Sequence, residues 1–451
     1  MRSLRGKLYS NGLGKIISIA GRWDNRSMAL GLYVSVPFCR TKCSYCNFAS
    51  DVFSRAIFAK YVERVCTDIH STTIDRSAED GPAFATGRKC GLVERDVDTI
   101  YLGGGTPTVL ESQQLEQIFV TIRQEFRLSP ETEITVECAP GTLSAPVLDT
   151  LLRCGVNRVS LGVQSFVDQE AASVGRLHKR ATVCDDIARL RAAGIANINV
   201  DLIAGLPHQN AESWGLSVSE TIASGAPHAS VYMLEVDEDS RLGRELMAGG
   251  ARYHAHFVPD DELTADLYLT ACERLNGAGV AQYEISNFAR PGFESKHNLR
   301  YWTRQPYLGF GVDAHSMLPI AIARHDGDTP RDAAVEAVRW STPDQLEEYV
   351  AGKLGQHTPV TKRAALEESF FLGLRLNRGV RLPEIEAQFG ADALSAIEAG
   401  ITQSVEDGLL ERTGDSLRLT ARGRLLSNEV FERFLAPVLK PAPRPPLFAN
   451  R

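Results

Sequence analysis

The chain has 451 residues, 43% hydrophobic and 23% charged, with a formal net charge of −7. This length exceeds one ordinary domain and suits a large α/β unit with a smaller module, while the composition is that of a folded globular protein. The acidic balance argues against non-specific nucleic-acid binding as the main activity, and no stretch approaches the roughly 18 to 20 apolar residues of a membrane span.

Residues 1–28 carry Arg2, Arg5, Lys7, Lys15, Arg22 and Arg26, but Gly12, Gly14 and Gly21 break any apolar run. They read as a disordered leader, or as a misassigned start with Met28 as the initiator. A β-prone run from Leu32 to Val36 then leads into Cys39, Cys43 and Cys46, spaced C-x3-C-x2-C. Three thiolates on one loop cannot close a four-coordinate zinc site alone. They can hold three irons of a cubane and leave the fourth iron open. The other six of the nine cysteines (Cys66, Cys90, Cys138, Cys154, Cys184, Cys272) are scattered. An odd count without framework spacing predicts a reducing compartment, the cytoplasm, with metal-binding thiols in place of disulfides.

Residues 51–76 read as an amphipathic helix, with Phe58, Tyr61, Val62, Val65 and Ile69 at helical spacing. Residues 77–95 are polar and read as a surface insertion. Short β-prone runs follow at Thr99–Leu102, Glu133–Val136, Arg158–Val163, Asn197–Ile203 and Ser230–Leu234. Helical patterns lie between them: Glu111–Phe126, Ala145–Cys154, Thr182–Ala193 and Glu212–Ser224. Alternating β and α argues for a parallel sheet covered by helices. Six units predict a partial (β/α)6 TIM-like barrel, with a doubly wound sheet as the alternative.

Every strand end carries a cysteine, a glycine cluster or a polar group. These are Cys39, Gly103-Gly104-Gly105-Thr106-Pro107, Glu137, Gln164-Ser165, Asp201 and Glu235. The carboxyl ends of barrel strands are where such folds build active sites. The glycine run lets backbone approach a ligand closely. It is neither a P-loop nor a dinucleotide fingerprint.

Residues 277–317 are dense in aromatics, histidines and glycines, including Tyr283-Glu284-Ile285-Ser286-Asn287-Phe288-Ala289 and His297-Asn298-Leu299-Arg300-Tyr301-Trp302. They could wall a flat apolar ligand. From about 361 come helices at Ala364–Leu374, Leu382–Phe389 and Ala391–Asp407, a hairpin at 410–420, and a helix at Ala421–Leu435. That order predicts a winged-helix-like module. Its would-be recognition helix has no Lys or Arg, so no nucleic-acid partner is expected. The predicted division is 29–260 for the barrel, 261–355 for an extension and 356–435 for the module, with a proline-rich tail at 436–451.

These motifs together resemble the radical S-adenosylmethionine (SAM) superfamily. The match is to the branch holding the oxygen-independent coproporphyrinogen III oxidases and the HemW-type haem chaperones. The resemblance spans about residues 30–435. It includes Arg158-Val159-Ser160-Leu161-Gly162-Val163-Gln164-Ser165, Gly175-Arg176-Leu177-His178 and Asp201-Leu202-Ile203-Ala204-Gly205-Leu206-Pro207. It implies a [4Fe–4S] cluster on Cys39, Cys43 and Cys46, with SAM on the open iron. Tyr33 and Tyr45 would flank the nucleoside, and Gly104, Gly105 and Thr106 would meet the methionine amino end. Glu137 would take the ribose hydroxyls; Gln164, Arg176 and Asp201 would line the rest, with Arg176 suited to a carboxylate.

The oxidases carry a fourth cysteine two residues after the third, where this chain has Phe48. The chaperones are similar in having phenylalanine there and in the HNxxYW stretch, matched by His297–Trp302. The resemblance therefore implies a haem-binding chaperone, with His297 as the leading haem contact and His178 and His315 as alternatives. Haem-accepting respiratory proteins and peripheral membrane contact are the implied partners. The competing implication is an oxidase that decarboxylates porphyrinogen propionates. The chain departs from the usual branch pattern at Ser35, at Cys138-Ala139-Pro140 and at Gly311-Val312-Asp313-Ala314-His315.

Overall fold

The computed structural model describes residues 29–73, 96–236, 238, 240–249, 252–320 and 335–435. The expected leader (1–28), surface insertion (77–95) and proline-rich tail (436–451) lie outside them, as does Cys90.

Six parallel strands form the centre. They are β1 (Leu30–Val36), β2 (Asp96–Gly104), β3 (Arg127–Cys138), β4 (Arg158–Gln164), β5 (Asn197–Ala204) and β6 (His228–Met233), hydrogen-bonded in that order. The crossovers run through α1 (Phe58–Thr73), α2 (Ser112–Glu125), α3 (Ala145–Arg153), the pair α4 (Asp168–Ser173) and α5 (Arg180–Ala192), and α6 (Ala211–Ala223). Local chemistry sets several starts. Ser144 caps α3 by accepting from Val147 N, with proline in the first turn, and Asn210 caps α6 by accepting from Glu212 N and Ser213 N.

Strand side chains alternate between the faces of the sheet. One set is apolar and joins the main core: Ile100 and Leu102, Val159 and Leu161, Val200 and Leu202, with Leu115, Ile118 and Phe119 of α2. The other set is polar and faces the barrel interior: Tyr101, Glu137, Arg158, Ser160, Asn199, Asp201, Ser230 and Tyr232 all line one cavity. A polar interior inside an apolar jacket leaves room for a ligand where a packed barrel would have none.

The chain then adds α7 (Arg241–Ala248), α8 (Asp261–Gly277), β7 (Ala281–Gln282), β8 (Asn287–Ala289), α9 (Lys296–Trp302), β9 (Tyr307–Gly311), β10 (His315–Pro319), β11 (Val335–Ser341), α10 (Leu346–Val350) and β12 (His357–Thr361). β8 pairs antiparallel with β6, while β9 pairs parallel with β1, from Gly31 opposite Tyr307 to Ser35 opposite Gly311. The result is a 12-stranded sheet in the order β12-β11-β10-β9-β1-β2-β3-β4-β5-β6-β8-β7. Among the described residues no ladder joins β7 to β12, and the six-unit barrel is partial.

The C-terminal module comprises α11 (Lys362–Gly373), β13 (Val380–Arg381), α12 (Leu382–Phe389), α13 (Ala391–Ser395), α14 (Glu398–Glu406), β14 (Leu410–Thr413), β15 (Ser416–Leu419), α15 (Ala421–Leu425) and α16 (Ser427–Glu432). It has its own core, including Phe370, Leu382, Ile401, Leu417 and Val430. The single helices expected over 391–407 and 421–435 are each two short ones, because Ile397 and Leu426 leave ideal helical geometry at the breaks. Ile285 of the extension packs into the module's core, and its N–H donates to Arg375 O at 3.1 Å.

Candidate functional site

The cysteine loop leaves the end of β1 and is fastened on every side. Cys39 N donates to Asp51 O and Asp51 N to Pro37 O, both at 3.0 Å, which closes the loop's base. Inside it, the Lys42 ammonium donates to the carbonyls of Phe48 (2.7 Å) and Ser50 (2.5 Å). Thr41 Oγ1 donates to Gly175 O at 2.8 Å, Ser44 N to Val174 O at 3.2 Å, and Leu242 N of α7 to Ser44 O at 2.8 Å. The loop is thus held by the segment after α4 and by α7, not only by its own strand.

The glycine run at the end of β2 braces the same loop. Gly105 N donates to Val36 O and Thr106 N to Phe38 O, both at 2.8 Å. A Cβ at Gly105 would lie 2.8 Å from both of those carbonyl oxygens, and Gly104 adopts φ +96. Glycine is required at both places, by close approach at one and by a left-handed conformation at the other. Thr106 Oγ1 donates toward Cys39 Sγ at 3.7 Å.

Cys39, Cys43 and Cys46 are free thiols, half-buried at the wall of a cavity of about 600 Å³. Burial pushes the Cys39 thiol up from its ordinary range, opposed by the hydrogen bond from Thr106. Among the described residues no three cysteine, histidine or carboxylate groups form a site for a single metal ion. A cubane does not need one, since each thiolate takes its own iron.

Below the cysteines the cavity runs down the polar face of the sheet. Glu137 accepts from Tyr101 OH at 2.8 Å, and burial pushes its carboxyl up to about 7. Asp201 accepts from Ser160 Oγ at 2.9 Å and from Asn199 Nδ2 at 2.8 Å; burial raises its carboxyl too. Gln164 ends β4 with φ 68, an unusual value for a non-glycine residue, and it lines the cavity. Arg176 Nη2 donates to Tyr45 OH at 2.8 Å, while its Nε is buried without a partner. A guanidinium lining such a cavity suits an oxyanion.

Eleven of the cluster and SAM residues singled out in the sequence therefore share this cavity: Cys39, Cys43, Cys46, Tyr45, Gly104, Gly105, Thr106, Glu137, Gln164, Arg176 and Asp201. Tyr33 lies behind the wall, its hydroxyl 3.4 Å from the position of a Cβ on Gly104. His297 is buried away from the cavity. Its Nδ1 pairs with Thr99 Oγ1 at 2.9 Å and its Nε2 with Tyr301 OH at 2.8 Å, and burial holds it neutral, down to about 3. His315 is exposed, 3.8 Å from Asp313. His178 lines the cavity.

The motif reading gave no site role to Arg158, Ser160, Asn199, Ser230 and Tyr232, which also line it. The signal was present as polar residues at every second position of β4, β5 and β6.

Comparison with known proteins agrees with this geometry. The model for the Radical SAM superfamily matches residues 33–218, and that for the HemN C-terminal domain matches residues 360–426. The chain is 34% identical over 404 residues to the heme chaperone HemW of Bacillus subtilis (strain 168), covering 89% of this chain and 98% of that protein. It is 32% identical over 403 residues to the heme chaperone HemW of Lactococcus lactis, covering 89% and 96%. The coproporphyrinogen III oxidase HemN of Escherichia coli superposes with a TM-score of 0.71 at 23% identity, covering 90% of each chain, which is a likeness of fold. With its cysteine loop, its glycine run and its C-terminal module all inside these matches, the chain belongs to the HemW family within the radical SAM superfamily.

Proposed function

We propose that the protein is a haem chaperone: it holds a [4Fe–4S] cluster and SAM in the cavity, binds haem, and passes the haem to respiratory acceptor proteins. The observation that carries this reading is the convergence of the cysteine loop, the Gly104–Thr106 backbone and the groups of Glu137, Gln164, Arg176 and Asp201 on one cavity. The donor set fits the cofactors. Cys39, Cys43 and Cys46 would hold the cluster, which leaves one iron for SAM. When bound and reduced, the cluster supplies an electron to SAM.

The chain's own groups then do the positioning. Arg176 offers its guanidinium to a carboxylate. Glu137 offers acceptor oxygens to ribose hydroxyls, and the backbone at Gly104, Gly105 and Thr106 receives the amino end. Asp201 and Gln164 complete the lining, with Tyr45 set against Arg176.

Phe48, where the oxidases carry cysteine, favours the chaperone over porphyrinogen decarboxylation. The helices α13 and α14 contain no Lys or Arg, so the would-be recognition helix offers no basic side chain to a DNA groove. No helix among the described residues is long and apolar enough to cross a membrane. We infer a cytoplasmic location, with contact to membrane-bound acceptors at the protein's surface.

The test is anaerobic reconstitution followed by haem titration, then incubation with SAM, reductant and coproporphyrinogen III. Haem binding without porphyrinogen turnover is expected. Formation of protoporphyrinogen IX would replace this reading with the oxidase.

A further inference from the structure

We propose that haem seats across the mouth of the cavity against Phe48 and Leu177, with the His178 imidazole as its iron ligand. The inference rests on the haem-chaperone reading and assigns it a place and a ligand.

Phe48 and Leu177 are the two most exposed large hydrophobic side chains among the described residues, at 65% and 71%. A single exposed leucine is ordinary on a protein surface. Here both extremes line the same cavity. Phe48 stands on the cysteine loop and Leu177 on the segment after α4, and the two segments are tied together by the Thr41–Gly175 hydrogen bond. Two fixed apolar side chains beside a polar cavity make a surface for a flat apolar ring. Arg40, exposed beside them with one guanidinium nitrogen 3.1 Å from Gly141 O, supplies positive charge for carboxylate arms.

The iron ligand follows from counting imidazole nitrogens. His178 is the one histidine among the described residues that lines the cavity. Its Nε2 lies 3.0 Å from Val163 O. A carbonyl oxygen only accepts, so Nε2 carries the hydrogen and Nδ1 carries the lone pair. No hydrogen-bond partner occupies Nδ1 among the described residues. Burial, reinforced by the Arg176 charge, brings the group down to about 4, so the ring is neutral and its lone pair is available at physiological pH. A second nitrogen fixed on a backbone carbonyl is the usual way a metal-binding imidazole is oriented.

The other interior histidines have spent both nitrogens. His297 is held by Thr99 and Tyr301, and His228 is held by Asn199 Oδ1 at 2.6 Å and Tyr283 OH at 2.9 Å. Recruiting either would displace a hydrogen bond that the ligating nitrogen already makes.

The test is haemin titration of the cluster-loaded full chain, followed by the Soret band and by electron paramagnetic resonance. His178→Gln keeps a donor for Val163 O but offers iron no imidazole. It is expected to bind haem at least about tenfold more weakly and to lose the histidine-ligated spectrum, while SAM binding persists. Added imidazole restores that spectrum. His297→Phe is expected to keep it. Phe48→Ser with Leu177→Ser weakens affinity and leaves the ligation signature unchanged.

A His178→Gln protein with wild-type affinity and spectrum would overturn the assignment, as would failure of imidazole to restore the signature. A wild-type protein that binds no haem would instead overturn the chaperone reading.

Discussion

Arg176 and Tyr45 stand 131 residues apart in sequence, yet the Arg176 guanidinium donates to the Tyr45 hydroxyl at 2.8 Å. The bond ties the segment after α4 to the cysteine loop and aims the arginine into the cavity. Tyr45→Phe removes the acceptor without removing the ring. SAM affinity is expected to fall about five- to tenfold, the worth of one hydrogen bond at ~1 kcal/mol. Arg176→Gln should fall further, because under the proposed arrangement it also removes the charge offered to the carboxylate. Titration calorimetry on the reconstituted protein measures both; equal affinities for wild type and Tyr45→Phe would remove Tyr45 from any positioning role.

On the proposed placement of the ribose, Glu137 should make SAM binding pH-dependent. Burial raises its carboxyl from the ordinary value of 4.5 to about 7 in the ligand-free protein. A raised acid favours the folded state while it is protonated. Its contribution is therefore complete below about pH 4.5 and is lost as pH rises through about 7. Ribose hydroxyls donating to the carboxylate favour the charged form and reverse part of that shift. SAM affinity should increase from pH 6 to pH 8, with proton release visible as a buffer-dependent binding enthalpy. Glu137→Gln should flatten the profile and raise the thermal midpoint of the ligand-free protein more at pH 8 than at pH 5.

Gly105→Ala tests the brace between the glycine run and the cysteine loop. Its Cβ would meet Val36 O and Phe38 O at 2.8 Å, and both are backbone atoms that cannot swing aside. A cost of about 1 to 3 kcal/mol is expected from the forced backbone shift, read by urea denaturation. Iron content after reconstitution should drop as well, because the displaced strand end carries Cys39. Full iron occupancy in a destabilised variant would separate the brace from the cluster.

Glu368 of α11 anchors the C-terminal module. It accepts from Arg304 Nε at 3.0 Å and pairs with Arg339 of β11 at 2.9 Å, with Arg304 and Glu368 both nearly fully buried. Glu368→Ala removes the hydrogen-bonded partner of the buried Arg304 guanidinium and leaves it only Glu336, 3.8 Å away, a loss of up to about 3 kcal/mol. Limited proteolysis should then release the module from the barrel at lower urea than in the wild type. An unchanged urea profile would show that the apolar contacts around Ile285 carry the joint alone.

The six central strands were legible because each is an apolar run with a polar end, and the helices between them keep a helical period. Strands β7 to β12 were not. β7 and β8 are two and three residues long, and β12 reads His357-Thr358-Pro359-Val360-Thr361, mostly exposed at an edge. The pairing of β9 with β1 is a contact over the length of the barrel, and no local pattern announces it. At the site, motif spacing found the cysteines, the glycine run and the strand-end carboxylates. It pointed to His297 for haem from a motif match, whereas the hydrogen bonds of Thr99 and Tyr301 show both nitrogens engaged. Burial and partner count are properties of the folded neighbourhood, and a linear motif does not carry them.

The β1–β9 ladder also sets an order of events during synthesis. The strand that leads into the cysteine loop emerges early, but its second edge stays open until Tyr307–Gly311 has been made. At ribosomal speed that interval lasts on the order of tens of seconds. Throughout it, three thiols sit beside an incomplete sheet whose bare edge invites mispairing. Iron and sulfide delivered before β9 docks would meet a loop whose lead-in strand still lacks one neighbour.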